Sequence, residues 1–343
     1  MRKGQAGPLR PLAGAGALFL LLAVPGAAAA PHDLIVFTRT AGDRELVFSI
    51  RSDGSGLRRL TDKGGSEGEP ALSPDGRLIA AAGGAGIVVR ERSGRFVRRI
   101  RVRARSQVTD LSWSPGGRWI AYLAEQCEEG GGRDIGPLCA DLWLVRPDGR
   151  ARRRLVEANV HTVDLVGQYA WATDGRAIVF ERFDPAGLAT VDVSTGVIRP
   201  LPGTRRYGSD PQWPRANWIV FTRQRGPFKG ADLYGMRPTG RGLRRLCRAR
   251  QAQAPAVSRD RRQIAFLDYR PTGDLNLWHV KVVATNGGRC RHVGTATEEW
   301  TLAWSPDGTR LLWENFMERL VIGRADGTGR PELLTRGSAA DWR

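Results

Sequence analysis

The feature that most constrains this chain is a recurring pair of turns separated by short apolar segments. The first turn reads Ser73-Pro74-Asp75-Gly76, Ser114-Pro115-Gly116-Gly117 and Ser305-Pro306-Asp307-Gly308, with weaker copies at Thr173-Asp174-Gly175 and Ser258-Arg259-Asp260. Pro presets φ at the first corner, Asp caps the turn with its own side chain, and Gly accepts a positive φ. The second turn reads Asp53-Gly54, Asp148-Gly149 and Asp326-Gly327. Ser93-Gly94, Thr195-Gly196, Thr239-Gly240 and Asn286-Gly287 occupy the same place. Such dipeptides between alternating segments are a strong hairpin signal.

Between the turns lie segments such as Leu34-Ile35-Val36-Phe37, Trp119-Ile120-Ala121-Tyr122, Ala177-Ile178-Val179-Phe180 and Gln263-Ile264-Ala265-Phe266. No helical period of useful length follows residue 30, so the chain reads as all-β. Strands of this kind fall near residues 35, 79, 120, 178, 219, 264 and 311. Most intervals run from 41 to 48 residues, and a longer one separates Ile120 from Ile178. Four short strands per such period mark a propeller blade. The expectation is a β-propeller of seven four-stranded blades, with six or eight as the neighbouring counts.

The ends sharpen that expectation. The first unit begins at Asp33-Leu34-Ile35 without its leading strand, while Gly337-Ser338-Ala339-Ala340-Asp341-Trp342 follows the last unit. The position before the first turn then reads Leu72, Trp113, Trp171, Trp213, Val257, Trp304 and Trp342. The C-terminal strand is expected to pair into the first blade and close the ring, removing open sheet edges. The tryptophan column is expected to pack between blades rather than to bind a ligand.

Trp304-Ser305-Pro306-Asp307-Gly308, Asp141-Leu142-Trp143-Leu144-Val145 and Leu57-Arg58-Arg59-Leu60-Thr61 resemble the WD40-like repeats of TolB propellers over roughly residues 33–342. TolB itself carries an additional N-terminal α/β domain, for which this chain has no room, so its envelope role does not transfer on the repeats alone. The repeats identify the fold better than the activity, because propellers host many functions.

The first thirty residues read as a targeting segment. Arg2, Lys3 and Arg10 precede an apolar core from Leu12 to Val24, and small residues run from Gly26 to Ala30. This is a signal-peptide layout, with an uncleaved N-terminal anchor as the alternative; the core is short for a span of about 20 residues. Residues 1–30 are therefore expected to direct export to the cell envelope, periplasmic space or exterior. Residues 31–343 are expected to form one propeller domain with an insertion at about 125–141. Membrane contact is expected only if the N-terminal segment stays attached, and a monomer is expected.

Cys127, Cys139, Cys247 and Cys290 lie in the exported portion, and an even count there favours disulfides. Of three pairings, Cys127 with Cys139 brackets one Gly-rich insertion and leaves Cys247 with Cys290 between neighbouring repeats. Zinc is the rival reading, but no C-x-x-C is present. The formal charge is +18, about +15 without the three basic residues of the leader. Lysine occurs only at positions 3, 63, 229 and 281. The arginines are spread through every repeat, which favours compositional bias over a binding stripe.

Catalytic constellations are sparse. Gly64-Gly65-Ser66-Glu67-Gly68 matches a nucleophile pattern, and a similar propeller precedes the hydrolase domain of prolyl-oligopeptidase-like enzymes. No strand-to-helix elbow surrounds it, so it reads as a linker. Some TolB-like propellers are similar to pectate-fragment lyases, which use several histidines with a metal. His32, His161, His279 and His292 are scattered over different units, with His161 and Asp164 as the one pair near a channel mouth. No calcium loop, P-loop or dinucleotide fingerprint appears, so no metal or cofactor is expected.

Glu69, Asp110 and Asp210, with Gln168 in a similar place, enter the innermost strands and should face the channel mouth. They suit a cation or a basic partner segment, or else cap backbone N–H groups. The loop containing Cys127, Glu128 and Glu129 is the other candidate contact. The leading reading is a non-catalytic protein-binding or scaffold module. The alternatives are an anionic-polymer binder using an Arg-rich surface, of wall polysaccharide or nucleic acid, and a carbohydrate-active lyase or hydrolase with a channel-mouth site.

Overall fold

The computed structural model describes residues 33–342, apart from 63, 85, 103–106, 126–139, 158–165, 184–185, 206, 227–228, 272–276, 298–300 and 316–317. The described residues form seven four-stranded antiparallel sheets and no helix. The repeat explains why: each turn pair separates strands that are apolar on both faces, and such strands are stable only when buried between neighbouring sheets.

Blade 1 takes β1 (Leu34–Ala41), β2 (Arg44–Arg51) and β3 (Arg58–Arg59). Blade 2 is β4 (Gly68–Leu72), β5 (Leu78–Ala82), β6 (Gly86–Glu91) and β7 (Phe96–Arg101). Blade 3 is β8 (Val108–Trp113), β9 (Ile120–Glu125), β10 (Ala140–Val145) and β11 (Arg152–Val156). Blade 4 is β12 (Val166–Trp171), β13 (Ala177–Phe183), β14 (Ala186–Asp192) and β15 (Ile198–Pro200). Blade 5 is β16 (Gly208–Arg215), β17 (Trp218–Gln224), β18 (Ala231–Met236) and β19 (Arg244–Cys247). Blade 6 is β20 (Ala252–Val257), β21 (Gln263–Tyr269), β22 (Trp278–Ala284) and β23 (Arg291–Ala296). Blade 7 is β24 (Leu302–Trp304), β25 (Arg310–Asn315), β26 (Arg319–Arg324) and β27 (Glu332–Arg336). The last strand, β28 (Ser338–Trp342), returns to blade 1 and pairs with β1, with Ile35 opposite Trp342.

The turn chemistry behaves as the residues dictate. Gly76, Gly117, Gly175 and Gly308 all sit at φ between 66° and 70°. Asp307 accepts from the Thr309 N–H at 3.0 Å and from the Ser305 hydroxyl at 2.6 Å. The weaker copy at Ser258 keeps the same cap on Asp260 but places Arg261 at φ 60°, where glycine is absent.

The second strand of each blade carries the core. Ile35, Ile120, Ile178, Ile219, Ile264 and Leu311 have no exposed surface, and Ile79 has 1%. Of the predicted column, Leu72, Trp113, Trp171, Trp304 and Trp342 are buried, while Trp213 and Val257 are half-buried. The indole N–H groups lock neighbouring blades together. Trp113 donates to the Ala71 carbonyl at 3.0 Å, Trp171 to Ser112 at 3.4 Å and Trp304 to Ala256 at 2.9 Å, each on the preceding innermost strand. A buried indole needs such a partner.

Cys247 on β19 and Cys290, ahead of β23, form a disulfide between blades 5 and 6, with Cα atoms 6.1 Å apart. Cys127, Cys139, Glu128, Glu129 and His161 lie outside the described residues. The ends of β9 and β10 that flank residues 126–139 pair with each other, Glu125 opposite Ala140. Val108 lies opposite Ala124, so those ends emerge on the face where the innermost strands begin.

Candidate functional site

The innermost strands line a central channel. One cavity of about 690 Å³ takes Glu69, Asp110, Gln168 and Asp210 from blades 2, 3, 4 and 5, with Ala254 and Ala339 from blades 6 and 1. A second of about 860 Å³ lies toward the Ser-Pro turns, between Pro74, Pro115 and Pro306. The two share Leu111, Gln168, Gln212, Ala254, Pro255 and Ala340, and are two ends of one passage. All four residues singled out in the sequence thus reach one mouth.

A bulge near the start of the innermost strand sets this geometry. Pairing with the second strand slips between Gly68 and Ala71, Thr109 and Ser112, Val166 and Tyr169, Ser209 and Gln212, and Gln253 and Ala256. Glu69, Asp110, Asp210, Ala254 and Ala339 consequently adopt φ between 44° and 52°, a conformation non-glycine residues rarely take. Alanine holds it in two blades, so the strain belongs to the ring rather than to acidic chemistry. Bulges re-aim side chains and free a backbone N–H from the ladder.

Those N–H groups find partners across the blade boundary. Glu69 N–H donates to the Thr38 hydroxyl of blade 1 at 3.2 Å. Asp110 N–H donates to Glu69 Oε2 of blade 2 at 2.8 Å. Asp210 N–H donates to the Glu181 carboxylate of blade 4, and Ala254 N–H to the Asp210 carboxylate of blade 5. The Tyr169 hydroxyl donates to the Asp110 carbonyl. The acids therefore do two things: they face the mouth, and Glu69 and Asp210 each hold the bulge of the next blade.

Glu181 was missed from the sequence because it sits inside the apolar strand β13. Burial, reinforced by the Asp210 charge, raises its pKa to about 7. Burial also raises Asp210, against the opposing Thr222 hydroxyl and Ala254 N–H. Tyr169 is pushed well above the usual phenol value by burial, and further by Asp110 and Glu69. The available signal was a polar residue directly after the strand's aromatic: Phe37-Thr38, Phe180-Glu181, Phe221-Thr222 and Trp313-Glu314. Thr38, Thr222 and Glu314 are buried at 1–2% exposure.

The remaining candidates fall elsewhere. Ser66 accepts from the Glu45 N–H at 3.1 Å, and Glu67 is buried in an ion pair with Arg90 at 2.7 Å. The Gly64–Gly68 segment is thus a structural connection between blades. The histidines are less dispersed than their spacing suggested: His279 on β22 and His292 on β23 stack edge-to-face at 4.8 Å. They lie on the two outer strands of blade 6 and contribute nothing to the channel lining. Among the described residues no group of three His, Cys, Asp or Glu side chains is placed to hold a metal.

No family model matches the chain. Over 200 residues it is 26% identical to the Protein TolB homolog of Chlorobium luteolum, an alignment covering 57% of this chain and 42% of that protein. The chain thus matches less than half the length of that curated relative. The solved structure of TolB from Acinetobacter baumannii superposes with a TM-score of 0.55 at 16% identity, over 92% of this chain and 84% of that one. The chain is a TolB-like β-propeller. The TolB-like architecture is shared with an enzyme: oligogalacturonate lyase from Vibrio parahaemolyticus superposes with a TM-score of 0.63 at 12% identity, over 90% of this chain and 87% of that one. Such identities establish fold and leave the site to be argued from its own residues.

Proposed function

We propose that this TolB-like propeller is an exported, non-catalytic binding module that docks a basic segment of a partner protein at its channel mouth. The observation that carries the reading is the convergence of Glu69, Asp110, Gln168 and Asp210 on one cavity. Glu69 and Gln168 are exposed there, and Asp110 and Asp210 are half-buried. A ring of carboxylates on a chain with net charge +18 attracts cationic side chains while the rest of the surface repels them. The signal-peptide pattern of residues 1–30 and the similarity to the TolB homolog support an envelope location. A lyase-type activity finds little support, because the two described histidines that meet lie away from the channel.

The test uses a fluorescent hexalysine peptide and the full chain. Asparagine at 110 and glutamine at 69 remove charge but keep a hydrogen-bond acceptor, so the bulge of blade 3 stays capped. The variant Glu69→Gln with Asp110→Asn should bind at least about tenfold more weakly at low salt, since each charge at the mouth contributes on the order of 1 kcal/mol. Its melting temperature should stay close to that of the parent. Equal binding by parent and variant would remove the mouth as the docking site.

A further inference from the structure

The charge of this protein is sorted by radius. The seven outermost strands hold 13 arginines and one carboxylate, Glu332. The seven innermost strands hold four carboxylates and one arginine, Arg215. An arginine repeated in every unit of sequence becomes a belt once the units close into a ring. Dispersion along the chain, which pointed to compositional bias, is thus a circumferential surface in the fold.

The belt is densest over three consecutive blades. Strands β3, β7 and β11 carry eight arginines in 13 residues and no carboxylate. Arg154 is paired, with Asp141 at 3.5 Å and Glu157 at 2.9 Å. Among the described residues the other seven have no carboxylate partner; several donate instead to backbone carbonyls. Arg59 reaches the Asp62 carbonyl at 2.8 Å, Arg99 that of Gly83 at 3.0 Å and Arg153 that of Ser194 at 3.3 Å. Arg98 reaches the Asp148 carbonyl at 2.5 Å and Arg152 that of Arg101 at 3.2 Å, both across the boundary between blades 2 and 3. A carbonyl positions a guanidinium without cancelling its charge. Five of the seven are thus held in place, and the charge of the arc is offset only locally, where Asp62 acts on Arg59.

We infer that this arc is a docking surface for a flexible acidic polysaccharide, a site separate from the acidic mouth and independent of what docks there. Guanidinium forks match the paired oxygens of carboxylates, and a polymer of many anions gains affinity through released counterions. Shape and chemistry select among polyanions. The rim of a ring is convex, so a flat anionic membrane meets it along a line rather than across three blades. Duplex DNA is stiff and resists wrapping. Single-stranded nucleic acid stacks base after base on a row of aromatic faces; β3, β7 and β11 hold one aromatic, the exposed Phe96 with Arg90 5.9 Å from its ring, while Arg152 lies over Trp143 at 5.3 Å and Arg153 over Trp119 at 5.7 Å. A uronate chain bends with the rim and needs no stacking partner. The competing account is that arginines on outermost strands only discourage edge-to-edge pairing of sheets. That role needs charge but predicts no ligand.

An alginate dodecasaccharide, titrated against the full chain between 50 and 300 mM NaCl, tests the inference. Binding should weaken steeply with salt, with a log–log slope of about 3 to 5 for contacts of this number. The triple variant Arg58→Gln, Arg101→Gln, Arg152→Gln should bind at least about tenfold more weakly at 50 mM salt. The same three positions as lysine should bind more tightly than the glutamine triple and more weakly than the parent, because the charge is kept while the planar fork is lost. Arg199→Gln, Arg244→Gln, Arg291→Gln, on the opposite side of the ring, should change binding less than about twofold. If the glutamine triple aggregates, each single substitution should still weaken binding by about twofold. Unchanged affinity in the arc variants, an equal loss in the opposite-side control, or tighter binding of a twelve-nucleotide single strand or of anionic vesicles would each overturn the inference.

Discussion

Glu181 shows how one residue couples the packing of the ring to pH. Its carboxyl sits on β13 and reaches over to accept the Asp210 N–H, and burial beside Asp210 raises its pKa from near 4.5 to about 7. The folded state therefore favours the protonated acid. Stability is unaffected below the unfolded value near 4.5, falls as pH rises from there to about 7, and stays at the lower level above it. Glu181→Gln keeps an acceptor for the Asp210 N–H and cannot ionise. At pH 8 the variant should be more stable than the parent by about 1–3 kcal/mol, and the difference should vanish near pH 4. Melting curves across that range decide the matter; a gain that is the same at pH 5 and pH 8 would assign the titration to another group. Residues of this kind are hard to read in advance. Glu69, Asp110, Gln168 and Asp210 were legible because they follow a visible turn grammar into the innermost strand. Glu181 was not, because its role depends on a bulge in the next blade, which no local pattern displays.

At the scale of elements, the strands were legible and their radial order was not. Turn spacing defines which segments form hairpins, but only ring closure makes β3, β7 and β11 one outer surface. The disulfide is an intermediate case: of three possible pairings the spacing favoured the one that leaves Cys247 with Cys290, and the structure joins these two across blades 5 and 6 at a sequence separation of 43. Cys247 is buried and packs with Leu246, Ala249 and Ile264. A loop of that length, when crosslinked, removes enough freedom from the unfolded chain to contribute about 3–4 kcal/mol. Replacing both cysteines by serine should lower the melting temperature by several degrees and leave channel-mouth binding intact, because neither residue lines the channel. Reductant should reproduce the shift in the parent and have no further effect on this bond in the double variant. A parent that melts identically with and without reductant would mean the blades are held by packing alone.

For the whole molecule the decisive contact is the return of β28 to blade 1. Trp342 is 3% exposed and packs with Ile35, Phe37 and Leu312, so it touches the strands that begin and end the ring. Its indole N–H donates to Asp33 at 3.2 Å, and the preceding Asp341 accepts the Leu72 N–H of blade 2 at 2.8 Å. One short strand thereby fastens blade 1 to blades 2 and 7. Trp342→Ala should destabilise the fold by about 3–5 kcal/mol through the cavity it leaves. Deleting residues 338–343 should do more than that. It strips β1 of one of its two pairing partners, bares an apolar strand edge of a kind that recruits other chains, and removes the cap on Leu72. The truncated protein should therefore form larger species than the parent or aggregate, whereas Trp342→Ala should keep the parent's size with a lowered melting temperature. Light scattering separates the two effects. If the truncation keeps the parent's size and melts with the point variant, the closing strand matters for its indole and not for sealing the ring.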